Sequence, residues 1–365
     1  PRTTGAWSEI RADVGDDVRA GKPLVIEVFV PLCSDDKGGP CGKHPGAGDP
    51  KNLEDNLYWG AVFGARRYLA RRDTGWSRVE SGSADGFEIE RATFKRSVSG
   101  ARWGTSGSVD VFVVMHAIDG DSGQDALERF LRVASGGGRV KFSDGGETRE
   151  ERVHAVGFMG RNPLLKNGRV PEKLELPATA AGAGIPAFTT MAHARETIGG
   201  WLRRAGATEI LLPRGPVASE GYVLDAVLQG LADNQARWSI RKRVVKSYTS
   251  RCRRRPGNSA RRSRRIEVAS VLLGSRVGRA QAATHRRSSP QPRTQSSSTR
   301  PEAGSRSRRC RRGSRILRHA AGQETSVRYI SRELGGCVHE TRVRVAADVT
   351  FGGLFRPTGC ARPRN

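Results

Sequence analysis

The chain has 365 residues, with 63 Lys and Arg against 37 Asp and Glu, a formal net charge of +26. The surplus is uneven: residues 1–240 hold 31 basic and 31 acidic side chains, leaving 32 basic and 6 acidic for residues 241–365. No apolar run reaches the roughly 18 residues that a membrane-spanning helix needs, and six cysteines in a chain of this length do not make a disulfide-built scaffold.

The two parts also differ in core-forming material. All six Trp precede residue 240, whereas residues 251–365 carry 28 Arg, no Lys, and only Tyr329, Phe351 and Phe355 as aromatics. The first part has enough apolar residues to bury a core for one domain; the second does not. The expectation is therefore an α/β domain over residues 1–245, followed by a disordered Arg/Ser-rich low-complexity tail over 246–365. The opening residues lack the basic, apolar and cleavage-site succession of a secretory leader. A cytoplasmic protein follows, with Cys33, Cys41, Cys252, Cys310, Cys337 and Cys360 as reduced thiols.

In chain order, Leu24–Val30 is the first strand, β-branched and aromatic, closed by Pro31 and carrying Glu27 as its one charge. After a Gly/Pro/Asp loop, Asn52–Arg72 reads as a helix, with Leu57, Tyr58, Ala61, Val62, Ala65, Tyr68 and Leu69 on one stripe. Trp76–Glu80 and Phe87–Ser97 read as shorter strands forming an excursion or hairpin. Val109–Met115 is a second central strand. Asp121 and Ser122 then cap a helix through Ala126, Leu127, Phe130, Leu131 and Ala134, ended by Gly136–Gly138.

The run from Val153 to Met159, stopped by Gly160-Arg161-Asn162-Pro163, is a strand suited to a two-sided interior. Ile185–Thr190 repeats the pattern and leads into a helix burying Ile198, Trp201, Leu202 and Ala205, with Gly206 as terminator. Glu209–Leu212 is the last strand, and Ser219 caps a helix carrying Tyr222, Val223, Ala226, Val227 and Leu231. Strands alternating with helices at this spacing predict a mostly parallel, doubly wound sheet with helices on both faces. In such a sheet the carboxyl ends of the strands are where ligands are met.

The obvious chemistries find little support. Cys33, Cys41 and His44 share a loop, but zinc sites open with cysteines about two to four residues apart and need a fourth ligand, so an ordinary loop is expected. Asp119–Asp125 has the look of a calcium loop without the bidentate Glu, and helix capping accounts for it. Neither a phosphate-binding Walker loop nor a Gly-x-Ser-x-Gly elbow occurs in residues 1–240. No metal or cofactor is expected.

Asp49-Pro50, Asn56-Leu57-Tyr58-Trp59-Gly60, Gly160-Arg161-Asn162-Pro163-Leu164 and Leu211-Leu212-Pro213-Arg214-Gly215-Pro216, in this order among the elements, resemble a group of bacterial proteins that are in turn similar to caspase-like cysteine peptidases. The resemblance covers about residues 22–250. It implies a fold in which one strand ends in His-Gly and the next in a small residue followed by Cys, so that imidazole and thiol face each other across adjacent strand ends. Carried over, the His position falls on Arg161, the Gly after next on Pro163 and the Cys position on Ala192. A methyl group has no nucleophilic atom and a guanidinium stays protonated, so the dyad is absent. His154 and His193 lie nearby in sequence and are expected to be hydrogen-bonded structural residues. The resemblance therefore implies a pseudoenzyme, leaning away from catalysis, with a protein partner or a small anion as its ligand. Arg161 and Asn162, at a strand end beside a Gly turn, suit a carboxylate or phosphate, and the plainer alternative is a solvated Arg161 at a decayed site. Asn56, Tyr58, Trp59 and His193 are the candidate pocket residues. An active hydrolase with an unidentified site is the remaining catalytic alternative.

The tail has two readings. Runs such as Arg261-Arg262-Ser263-Arg264-Arg265 in residues 251–365 would bind nucleic acid nonspecifically through phosphates, although stacking aromatics are almost lacking. Alternatively, the loss of Lys after Lys246 in favour of Arg, Ser, Gly, Pro and Ala marks GC-rich DNA read in a shifted frame. The composition favours the second.

Overall fold

The computed structural model describes residues 13–251, apart from 37–40, 43, 84–85, 87, 167–168 and 173–183, together with four short strands between 317 and 351. Phe87 and most of the expected disordered tail thus lie outside the described residues. Helix α1 (13–19) places Val14 and Val18 inward and leads to β1 (Leu24–Pro31), all eight residues of which are buried. The helix expected over Asn52–Arg72 is restricted to α2 (Ala65–Leu69). Residues 51–63 instead form turns around Asn56, whose side chain bonds the backbone N–H of Cys33 and Tyr58 and the carbonyls of Cys33 and Asp49. Asparagine bonding to nearby backbone competes with helix formation in this way. Gly60 and Gly64 belong to the same packing, since a Cβ on them would lie 2.2 Å from the Leu53 carbonyl oxygen and 2.4 Å from that of Trp59.

A hairpin follows, β2 (Ser77–Ser83) antiparallel to β3 (Glu88–Ser99), and β3 pairs with β4 (Ser108–Ile118). The expected excursion is thus an integral edge of the main sheet. Helix α3 (Gly123–Gly136) ends at Gly137, whose φ of 72° suits glycine. Its entry differs from expectation: Ser122 makes no side-chain capping bond, and Asp119 instead accepts from the Asp121 N–H in the preceding 3₁₀ turn. A separate hairpin, β5 (Arg139–Asp144) with β6 (Glu147–Arg152), had no clear sequence signature because its exposed positions are charged on both strands.

The remaining units are β7 (Ala155–Phe158), β8 (Ala187–Thr189), α4 (Ala194–Thr197), α5 (Gly199–Arg204), β9 (Glu209–Leu211), α6 (Gly221–Ala232) and α7 (Arg237–Arg251). Seven strands form one sheet in the order β2-β3-β4-β1-β7-β8-β9, in which β4, β1, β7, β8 and β9 are mutually parallel. Val25 and Phe29 of β1 face a core with Phe130 and Leu131 of α3 and Trp201 and Leu202 of α5. Leu24 and Ile26, alternating with them, face Val14, Trp103 and Leu231 on the other side. Helices therefore cover both faces of a mostly parallel α/β sheet, as the alternation predicts.

Helix α7 extends the domain past residue 245. It buries Ile240, Val244 and Tyr248, one per turn, and Ser247 Oγ donates to the Tyr222 carbonyl of α6. A second compact unit, residues 278–329 and 339–365, contains β10 (Leu317–His319) antiparallel to β13 (Val349–Phe351). The strands β11 (Glu324–Ser331) and β12 (Cys337–Arg344) pair with each other.

Candidate functional site

The sheet order puts β1 between β4 on one side and β7 on the other, so the chain reverses its direction of travel across the sheet at β1. In open parallel sheets that reversal opens a crevice at the carboxyl ends of the strands. Here the crevice is bounded by residues 31–34 after β1 and 160–162 after β7. Arg161, half-buried, spans it: Nη1 donates to the Ser34 carbonyl at 2.8 Å. Ser34 Oγ in turn donates to Asp121 Oδ1 at 2.9 Å, which joins the loop after β4 to the same edge.

The next pair of strand ends is tied more tightly. Asn162 is 7 % exposed; its Nδ2 donates to the Ala192 carbonyl at 2.8 Å and to Thr197 Oγ1 at 3.1 Å, while Oδ1 accepts the Leu164 N–H. Ser219, expected to cap α6, makes no such bond, because Glu220 takes the N-cap position. The Ser219 hydroxyl lies instead 2.8 Å from both the Gly160 and the Thr190 carbonyls. Thr190 N–H donates to the Phe158 carbonyl at 3.0 Å. The strand ends carrying Arg161 and Ala192 are therefore neighbours, held by two buried side chains that sequence reading assigned to other tasks.

Of the candidate pocket residues, Asn56, Tyr58 and Trp59 are buried supports of the loop after β1. Trp59 Nε1 donates to Glu90 Oε2 at 2.7 Å, and Arg66 also pairs with Glu90. His193 stands at the end of β8 in a left-handed conformation, φ 55°, with its N–H on the Gly215 carbonyl. His154 is buried at the start of β7: Nδ1 accepts the Val25 N–H at 3.0 Å and Nε2 lies 3.3 Å from Asp17 Oδ2. Burial pushes its pKa down against the pull of Asp17, so the imidazole is held neutral.

The expectation of reduced thiols is corrected at this edge. Cys33 and Cys41 form a disulfide, closing the loop that starts at β1. Backbone hydrogen bonds position both: Asn56 Oδ1 accepts from Cys33 N–H and Asp35 Oδ1 from Cys41 N–H. Composition could not reveal this, because pairing depends on the turn between them rather than on cysteine number. The bonded sulfurs are also lost to zinc, His44 sits against the Pro45 carbonyl, and no cluster of three or more metal-binding side chains occurs among the described residues.

A second buried polar group went unread in the sequence. His116 of β4, fully buried, has Nδ1 2.8 Å from Glu88 Oε1 and Nε2 2.9 Å from Glu27 Oε1, the latter off-line for a hydrogen bond. Arg91 and Arg129 approach Glu88 from β3 and α3, and the Phe29 ring stacks on the imidazole at 5.1 Å. Burial opposes the imidazolium, but the two carboxylates outweigh it and raise the pKa. Glu88, also penalised by burial, is brought down to about 2 by His116 and Arg91. The group is closed off from the crevice and cross-links β1, β4 and β3.

The fold and its edge thus define an α/β domain with a seven-stranded mixed sheet, whose crevice carries a guanidinium, hydroxyls and carboxamides. No protein-family model, curated protein or solved structure matches the chain. Among the described residues no helix is long and apolar enough to cross a membrane.

Proposed function

We propose that this domain is a non-catalytic relative of the caspase-like cysteine peptidases, which keeps the two adjacent strand ends of that fold as a binding edge. The observation that carries the reading is the tie between Asn162 and Ala192, which joins the segments that follow the parallel neighbours β7 and β8 and carry Arg161 and Ala192. The nucleophile is missing there, and within residues 13–251 the two cysteines are bonded to each other. A thiolate is required for that chemistry. Arg161 stands at the crevice with Nη1 on the Ser34 carbonyl, and a planar guanidinium is the group whose geometry matches a carboxylate or phosphate. Asn162 does not contribute to such a ligand, since its amide is engaged with Ala192, Thr197 and Leu164.

The test restores the missing pair. In the double variant Arg161→His/Ala192→Cys, an imidazole facing the new thiol lowers its pKa, and alkylation by iodoacetamide at pH 6 is expected to run at least about tenfold faster than in Ala192→Cys alone. Equal rates would show that the two positions do not face each other. Turnover of peptide substrates by the unaltered protein, blocked by alkylation after reduction, would overturn the non-catalytic reading.

A further inference from the structure

The outer face of α7 combines two features found together nowhere else among the described residues. Trp238 is 60 % exposed, the large apolar side chain that stands out of the surface. Around it, residues 237–251 contain six basic side chains and no acidic one. Three of these cations are occupied inward: Arg237 and Arg241 donate to the Glu209 and Ile210 carbonyls at the end of β9, and Arg243 is held by Asp233, Gln229 and Gln235. Lys242 and Lys246 are exposed and follow Trp238 at four-residue steps, which puts the three on one stripe. The Lys242 ammonium lies 4.1 Å from the Trp238 ring centroid. Among the described residues, neighbouring carboxylates offer this stripe no internal partner, because Asp233 binds Arg243 and Arg102, and Glu209 binds Arg203.

We propose that this stripe binds single-stranded nucleic acid, with a base stacked on the open face of Trp238 and phosphates along Lys242 and Lys246. Aromatic faces interleaved with cations are what sequence-tolerant single-strand binding requires, and α7 supplies an aromatic beside its cations where the Arg-rich residues after it have almost none. A duplex hides its base faces in the stack and offers nothing for the indole. An anionic bilayer attracts the same charge, but insertion scales with buried apolar area, and one indole between lysines provides little. The surface is independent of the crevice between β1 and β7.

The test uses the full chain and a fluorescently labelled oligo(dT) without secondary structure. Oligo(dT) is expected to quench a component of the tryptophan emission that disappears in Trp238→Ala; of the other five tryptophans, Trp59, Trp76, Trp103 and Trp201 are buried and Trp7 lies outside the described residues. In anisotropy titrations Trp238→Ala is expected to bind at least about fivefold more weakly and Trp238→Phe to recover most of the loss. Lys242→Gln/Lys246→Gln is expected to lower the slope of log affinity against log salt by about 1.4. Unchanged circular dichroism in each variant establishes that the fold is intact. Trp238→Ala binding within twofold of the unaltered chain would overturn the proposal and assign binding to residues 251–365. An emission shift of Trp238 with phosphatidylserine vesicles, without quenching by oligo(dT), would overturn it in favour of a membrane surface.

Discussion

At the scale of single residues, stability and site geometry rest on polar side chains whose partners are far away in sequence. Glu27, His116 and Glu88 come from three strands, and their charges make folding depend on pH in a way that can be signed. His116 has a folded pKa above its ordinary 6.5, so its contribution is complete below about pH 6.5 and is lost as pH rises through the folded value. Glu88 has a folded pKa of about 2 against an ordinary 4.5, so its contribution is complete above pH 4.5 and is lost toward pH 2. Both are whole between about pH 4.5 and 6.5. His154, with its lowered pKa, works oppositely, adding stability above 6.5 that falls away on acidification. The unaltered protein's curve mixes the two histidines, and only a difference separates them. The free energy lost in His116→Gln, from urea titrations at several pH values, is expected to be largest near pH 5–6 and to shrink steadily toward pH 8.5. A loss that grows with pH would mean a neutral imidazole between the carboxylates.

These residues also mark where sequence reading ran out. Arg161 and Ala192 were legible as strand-end positions because Gly160 and the runs before them punctuate the chain. The structural ties made by Asn162 and Ser219 are not legible, because a carboxamide or hydroxyl before a turn or helix reads as a local ligand or cap. Their actual partners, Ala192 for one and Gly160 and Thr190 for the other, are 30, 59 and 29 residues away. Asn56 was legible as part of a motif, but its buried bonding to Cys33, which dissolves the expected helix, was not.

At the scale of elements, legibility followed burial on two sides. β1 and β4 are nearly continuous apolar runs and are legible close to their observed ends, whereas β5 and α7 bury one residue in two to four, β6 buries none, and all three leave no unbroken signal. The spacing of β7 and β8, the strands that lead to Arg161 and Ala192, depends on one missing side chain. Gly157 of β7 lies directly beside Phe188 of β8, and a Cβ at Gly157 would come within 2.4 Å of that ring. The ring is fully buried and has no room to withdraw. Gly157→Ala is therefore expected to destabilise the domain by roughly 1–3 kcal/mol, the usual cost of overpacking a filled core. Adding Phe188→Leu should recover part of this in the same urea titration. If the single variant is as stable as the parent, β7 and β8 are not packed as closely as this contact requires.

At the scale of the whole molecule, the question is where the self-sufficient part ends. Composition changes near residue 245, but α7 continues to Arg251, and its last two turns carry Tyr248 against Tyr222 and Ser247 on the Tyr222 carbonyl. Its first turns hold Ile240 and Arg241 against α6 and β9. Arg241 caps the Ile210 carbonyl from a half-buried position, where desolvation pulls its pKa down to about 10 while leaving it cationic at neutral pH. A chain ending at residue 236 forfeits the burial of Ile240, Val244 and Tyr248, about 1.5–3 kcal/mol each, and that sum rivals the roughly 5–15 kcal/mol by which whole domains are stable. It is expected to be insoluble or to lack a cooperative thermal transition by circular dichroism. A chain ending at residue 251 keeps every one of these contacts and is expected to melt within about 2 °C of the full chain. A clearly lower melting temperature for the chain ending at 251 would mean that residues 252–365 contribute to the folded domain, and that the compositional break near residue 245 is not a structural one.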